Sequence, residues 1–144
     1  MAIKQISVFL ENKPGTLHLM TEVLTKADID MRALSVAETK DFGIVRMIVN
    51  DVYETAAVLK EAGYICSMTP VVAVSISDKI GGLNSVLNAL NAAGVNVEYM
   101  YAALAGKKNG TAYMILRVEE TEKAELALRA KGFQVATQES VVEI

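Results

Sequence analysis

Apolar and polar residues alternate near the start of the chain. Ile6, Val8 and Leu10 point one way and Gln5, Ser7 and Phe9 the other, the period of a half-buried strand. Pro14-Gly15 ends it. From Thr16 the period turns helical, with Leu17, Met20, Leu24 and Ala27 on one stripe and His18, Thr21, Glu22 and Thr25 on the other. Thr16, or Asn12 through a turn, is the candidate cap of that helix. Residues 31–39 and 44–50 are rich in Ala, Val, Ile and Met on either side of Lys40-Asp41-Phe42-Gly43, which predicts an antiparallel hairpin. Asp51 is placed to cap a second helix with Val52, Ala56 and Leu59 on its inner stripe, and Gly63 to end it. A strand over residues 64–68 completes the order β-α-β-β-α-β.

The pattern then repeats. A shift of 66 residues lays Gly15 on Gly81, Leu17 on Leu83, Leu24 on Leu90, Ala27 on Ala93, Ile29 on Val95 and Met31 on Val97. Further on the offset slips to 69, where Lys60, Gly63 and Tyr64 meet Arg129, Gly132 and Phe133. A period near ~70 with slips at turns reads as a duplication whose loops took the insertions. Two domains are expected, residues 1–69 and 70–144, the second copy running from Val72 to Val142 with a hairpin at Lys107-Lys108-Asn109-Gly110. The element order is that of the split β-α-β, ferredoxin-like, α+β arrangement, with both helices on one face of four antiparallel strands. Exposed sheet edges invite pairing with another copy. The expectation is therefore two units side by side in one sheet of about eight strands with four helices on one face, dimerising further into a homodimer.

Composition narrows the function classes. With 52% hydrophobic and 22% charged residues and two prolines among 144, the chain can bury a core throughout. A net charge of -3 without a Lys/Arg cluster argues against a nucleic-acid partner. The apolar start is interrupted by Glu11, Asn12 and Lys13, and no run approaches the ~20 residues needed to span a bilayer, so neither a signal peptide nor a membrane partner is expected. The single cysteine, Cys66, cannot form an internal disulfide, which suits a reducing, cytoplasmic setting.

Chemistry concentrates at the corner between first strand and first helix. Glycine there admits close backbone approach, and a helix start offers unpaired N–H groups to a carboxylate or other anion. The same residues equally form a plain strand-to-helix turn. His18, the single histidine, falls on a polar face and reads as solvated. Cys66 reads as a small core residue without a partner for nucleophilic chemistry. Asp41-Phe42-Gly43 reads as a hairpin turn rather than a kinase element. No GxGxxG, Walker A, CxxC or HExxH occurs, so no cofactor or metal is expected.

Asn12-Lys13-Pro14-Gly15-Thr16-Leu17, followed by an apolar helix and the exit Ala27-Asp28-Ile29-Asp30-Met31-Arg32, resembles the first half of an ACT domain. Asp78-Lys79-Ile80-Gly81-Gly82-Leu83 through Ala93-Gly94-Val95-Asn96-Val97-Glu98 resembles it again, so the likeness spans the whole chain as two tandem modules. The resemblance implies a non-catalytic regulatory protein that binds a free amino acid where two modules meet and modulates a metabolic enzyme. It implies ligand contacts from Asn12, Pro14, Gly15, Thr16 and Leu17 in the first copy and from Asp78, Gly81, Gly82 and Leu83 in the second. It adds the polar residue opening the second strand of a neighbouring module, Asp30 or Asn96. Asn12 with Asn96 suits both ends of a zwitterion; Asp78 with Asp30 sets two carboxylates together, and Asp30 in place of asparagine and Ile80 in place of proline depart from the family pattern. The alternative is a regulatory or scaffolding subunit that acts by protein contact without a small ligand, and an enzyme would require a catalytic constellation that the sequence does not offer.

Overall fold

The computed structural model describes residues 2–104 and 110–144. The second predicted hairpin, Lys107-Lys108-Asn109-Gly110, lies outside them except for Gly110. The chain divides into two compact units, residues 4–69 and residues 70–144, the latter joined by the first residues up to Ile3.

The unit of residues 4–69 is built from β1 (Ile3–Glu11), α1 (Thr16–Lys26), β2 (Met31–Glu38), β3 (Phe42–Val49), α2 (Val52–Glu61) and the start of β4 (Ile65–Ser77). β3 runs antiparallel to β1 and to β2, setting Val45 between Val8 and Val36, and Gly43 between Leu10 and Glu38. Ile6, Val8 and Leu10 pack with Met20 and Leu24 of α1 and Val52 and Leu59 of α2, so both helices of this unit cover one face of its strands. Asp51 caps α2 as its sequence position predicts: one carboxylate oxygen accepts from the Tyr53 and Glu54 amides at 3.1 and 2.9 Å. The hairpin turn also forms where expected, with the Thr39 N–H donating to the Phe42 carbonyl at 2.7 Å.

Two local readings change. β1 is buried on both faces as far as Val8, with Phe9 exposed beyond it, because Gln5 is 0% exposed and donates through Nε2 to the Ser7 hydroxyl at 3.1 Å. Two polar side chains that satisfy each other can be buried together, so their polarity did not mean solvent. Neither Thr16 nor Asn12 caps α1: its N-cap is Gly15, and no side chain accepts there. The Thr16 hydroxyl instead donates to the carbonyls of Glu11 and Lys13 at 2.8 and 3.0 Å, tying the corner to the strand it leaves.

The second unit holds the remainder of β4, then α3 (Gly82–Ala92), β5 (Val97–Ala102), β6 (Thr111–Val118), α4 (Thr121–Ala130) and a short 3-10 turn at Val141–Glu143. Its core joins Val72 and Val74 to Val86 and Leu90 of α3, Leu116 and Val118 of β6, and Leu128 of α4.

Among the described residues the expected eight strands are six, in the order β2-β3-β1-β4-β6-β5. One strand disappears because the last strand of the first copy and the first strand of the second are the single 13-residue β4. Pro70 sits inside β4, ahead of the ladder that Val72–Ser77 makes with β6, and its carbonyl accepts from Arg117 at 3.1 Å. The other disappears at the C-terminus, where Val135 bridges to Val74 and the ladder stops. There the Thr137 N–H donates to the Ser140 hydroxyl at 2.9 Å, a local turn that competes with strand pairing. Among the described residues no helix is long and apolar enough to cross a membrane.

Candidate functional site

The corner between β1 and α1 is set by three backbone demands. The Asn12 N–H donates to the Asp41 carbonyl at 3.0 Å, which pins the loop to the β2–β3 turn. Gly15 takes a φ of 85°, a left-handed conformation that glycine adopts without steric cost. Thr16 then holds the helix start against the end of β1. In the first turn of α1 the Thr16 N–H donates to the Lys13 carbonyl and the Leu19 N–H to the Gly15 carbonyl. The Leu17 and His18 amides between them have no partner among the described residues.

Beneath this corner lies a cavity of about 270 Å³, just below the ~300–1,000 Å³ range of ligand pockets. Leu10, Leu17, Val36 and Val45 form its apolar wall, and Glu11, Asn12, Lys13, Thr16 and Glu38 its polar rim. Strand geometry explains the hollow: Val36 and Glu38 share a face of β2, and opposite them Val45 carries a side chain while Gly43 carries none. A Cβ added at Gly43 would meet the Ala37 and Leu10 carbonyl oxygens at 3.7 and 4.0 Å, ordinary van der Waals contact, so the position has room for a methyl that glycine leaves unfilled.

The polar rim is ordered. Asn12 Nδ2 donates to Glu38 Oε2 at 3.0 Å and toward the Thr39 carbonyl at 3.5 Å. Glu38 Oε1 has no partner among the described residues and stays available as an acceptor. Lys13 Nζ pairs with Glu11 at 2.6 Å, and the hydrogen bond and charge of that carboxylate raise its pKa above the ordinary lysine value. The site therefore presents N–H donors at one point, a free carboxylate oxygen at another and hydrocarbon below.

Of the first-copy residues singled out in the sequence, Asn12, Thr16 and Leu17 line this cavity with Gly15 shaping the corner, and exposed Pro14 lies on the turn that leads into it. Leu17 is 38% exposed and belongs to the cavity rather than the core stripe predicted for it. Val36, Glu38 and Gly43 were missed, because only the pairing of β2 with β3 brings them to the corner; Lys13 lies in the loop itself but was not singled out. Asp30 is at the far end of β2 from Glu38, about 25 Å along the strand at ~3.3 Å per residue. It serves a local closure: its carboxylate accepts from Arg32 at 2.8 Å, and its backbone exchanges hydrogen bonds with Asn50.

The second corner follows the same backbone plan. The Asp78 N–H donates to the Gly110 carbonyl at 2.9 Å, Gly81 has a φ of 86°, and α3 starts at Gly82. Asn96 is exposed just before β5, at the other end of that strand from this corner. His18 is exposed, and Cys66 is half-buried against the first core. Among the described residues no group of three His, Cys, Asp or Glu side chains is placed to hold a metal.

Comparison with known proteins accords with this architecture. The family profile described as an ACT domain pair matches residues 1–144. A crystal structure of a protein from Bacteroides thetaiotaomicron is 37% identical, with a TM-score of 0.92 over 100% of this chain and 98% of that one. The ligand-free regulatory subunit of aspartate kinase from Thermus thermophilus is 18% identical, with a TM-score of 0.66 over 92% of each chain. That of Thermus flavus is 15% identical, with a TM-score of 0.62 over 90% of this chain and 92% of the other. At those identities the two kinase subunits share the fold. No curated protein matches the chain. The profile match over the full length, on two corners built to one plan, makes the chain a member of the ACT domain pair family.

Proposed function

We propose that the chain is a non-catalytic regulatory protein that binds a free amino acid at the β1–α1 corner and thereby modulates a metabolic enzyme. The observation that carries this reading is the cavity under that corner, whose lining answers each part of a zwitterion. The Leu17 amide, with Lys13 on the same rim, suits the carboxylate. Glu38 Oε1 suits the ammonium, and Leu10, Leu17, Val36 and Val45 suit an aliphatic side chain. In this reading a polar residue that opens the second strand of another ACT module completes the contacts, Asn96 for the Asn12 loop. Asp30, already engaged by Arg32, is the poorer counterpart for the Asp78 loop. The likeness in fold to regulatory subunits of aspartate kinase supports a regulatory role, exerted on a partner enzyme through linkage between ligand and partner binding.

Thermal unfolding in the presence of each of the twenty amino acids tests the proposal. A ligand that binds only the folded state stabilises it by ~2.7 kcal/mol at a hundred times its dissociation constant. One responder is expected, aliphatic in side chain, and its effect should vanish in Asn12→Ala with the unliganded protein still folded. A flat response to all twenty would replace this reading with that of a subunit acting by protein contact alone.

A further inference from the structure

We infer that each chain has one amino-acid site, at the first corner, with Glu38 as the residue that demands an ammonium group, and that the second corner is a structural copy that binds none. This rests on the amino-acid reading above and goes beyond it in ligand count and in the residue that sets selectivity.

The strand ladders allow the two corners to be compared position by position. Leu10 faces Gly43 as Ile76 faces Ala112, and Val8 faces Val45 as Val74 faces Met114. Val36 pairs with Val45 as Ala102 pairs with Met114, which makes Leu104, two residues on, the counterpart of Glu38. Offset by 66, Asn12 corresponds to Asp78 and Thr16 to Gly82.

Each exchange removes something the ligand needs. Leu104 is a hydrocarbon where Glu38 offers a free carboxylate oxygen, so nothing at that position accepts an ammonium. Asp78 brings a negative charge to the helix start, where a ligand carboxylate would have to lie. Ala102 in place of Val36 trims the apolar wall, and Ala112 places a methyl where Gly43 leaves a hollow.

Backbone geometry agrees. A Cβ added at Gly82 would lie 2.0 Å from the Ser77 carbonyl oxygen, so the start of α3 is closed down on the strand before it. At the matching place in the first corner Thr16 carries a full side chain and donates to the Glu11 carbonyl at 2.8 Å. The helix start thus sits closer to the preceding strand at the second corner, without the room that the Thr16 side chain occupies at the first.

Calorimetric titration of the full chain with leucine, isoleucine and valine reads the count directly. One site per chain is expected. Glu38→Gln should weaken the amino acid at least tenfold while leaving its desamino analogue, the corresponding branched carboxylic acid, unchanged. Gly43→Val should abolish binding by filling the hollow. Leu104→Ala and Asp78→Ala should leave affinity within about twofold. Circular dichroism certifies the fold of each variant, and Gly43→Ala, expected to weaken binding in the same direction, substitutes if valine is not tolerated. Two sites per chain, or loss of binding in Leu104→Ala with retention in Gly43→Val, overturns the single-site assignment and leaves the amino-acid reading standing. A Glu38→Gln protein that loses both ligands equally overturns the role of Glu38. Silence toward all three amino acids, with some other amino acid shifting the melting temperature, overturns the aliphatic pocket; silence toward all twenty overturns the amino-acid reading itself.

Discussion

Gly15, Gly81 and Gly82 form matching corners but are glycines for different reasons. Gly15 and Gly81 hold left-handed backbones with nothing within 4 Å of where a Cβ would stand, so substitution there meets conformational strain alone. Gly82 has no such backbone demand, and substitution would drive a methyl into a carbonyl oxygen 2.0 Å away. Left-handed alanine costs about 1–2 kcal/mol, whereas overpacking against an immovable neighbour costs ~1–3 kcal/mol and shifts the helix as well. Gly82→Ala is therefore expected to lower the melting temperature more than Gly15→Ala, as differential scanning would read. The opposite order would mean that α3 can lift from Ser77 at little cost. The paired glycines were visible in the sequence, but their separate reasons were not, because one lies in a dihedral angle and the other in a distance across the turn. The same limit hid Glu38 and Gly43. Each is an unremarkable residue in its own segment, and each gains meaning only when β2 and β3 pair in one register.

Elements whose signals are local were legible. The α2 start is carried by Asp51 alone, and the structure places its carboxylate on two amides of the first turn. Asp51→Ala should cost about 1 kcal/mol, the usual worth of such a cap, and for a chain of this size that is a fall of roughly 2–4 °C in melting temperature. Asp51→Asn should recover most of it, since the amide oxygen can accept the same bonds. An alanine variant that melts with the parent would show that tertiary packing of Val52 and Leu59 fixes the helix start without the cap. Elements defined by their neighbours were less legible. Residues 64–68 and 72–77 each look like a strand of one copy, and Pro70 between them looks like a stop. Proline removes one donor, yet the strand tolerates it just ahead of the ladder with β6, so two strands became one. At the C-terminus the apolar run survives in the sequence while Thr137 and Ser140 bond to one another and end the pairing after a single bridge.

For the whole molecule the continuity of β4 sets how the units melt. Each unit has its own core, centred on residues such as Leu24 in one and Leu128 in the other, both fully or nearly fully buried. Separate cores alone would suggest separate unfolding. β4, however, supplies Cys66 to the margin of the first core and Val72 and Val74 to the second, so unfolding either unit frees one half of an otherwise intact strand and exposes its backbone donors and acceptors. A single cooperative transition follows, with calorimetric and van't Hoff enthalpies in agreement. Leu24→Ala and Leu128→Ala should each cost about 2–5 kcal/mol, the range for emptying a buried leucine site. Because a cooperative chain registers binding anywhere in its folded state, an amino acid that saturates the proposed site at the first corner should raise both variants by the same free energy. Two transitions, of which only one responds to the ligand, would mean that β4 divides at Pro70 and that the modules unfold independently.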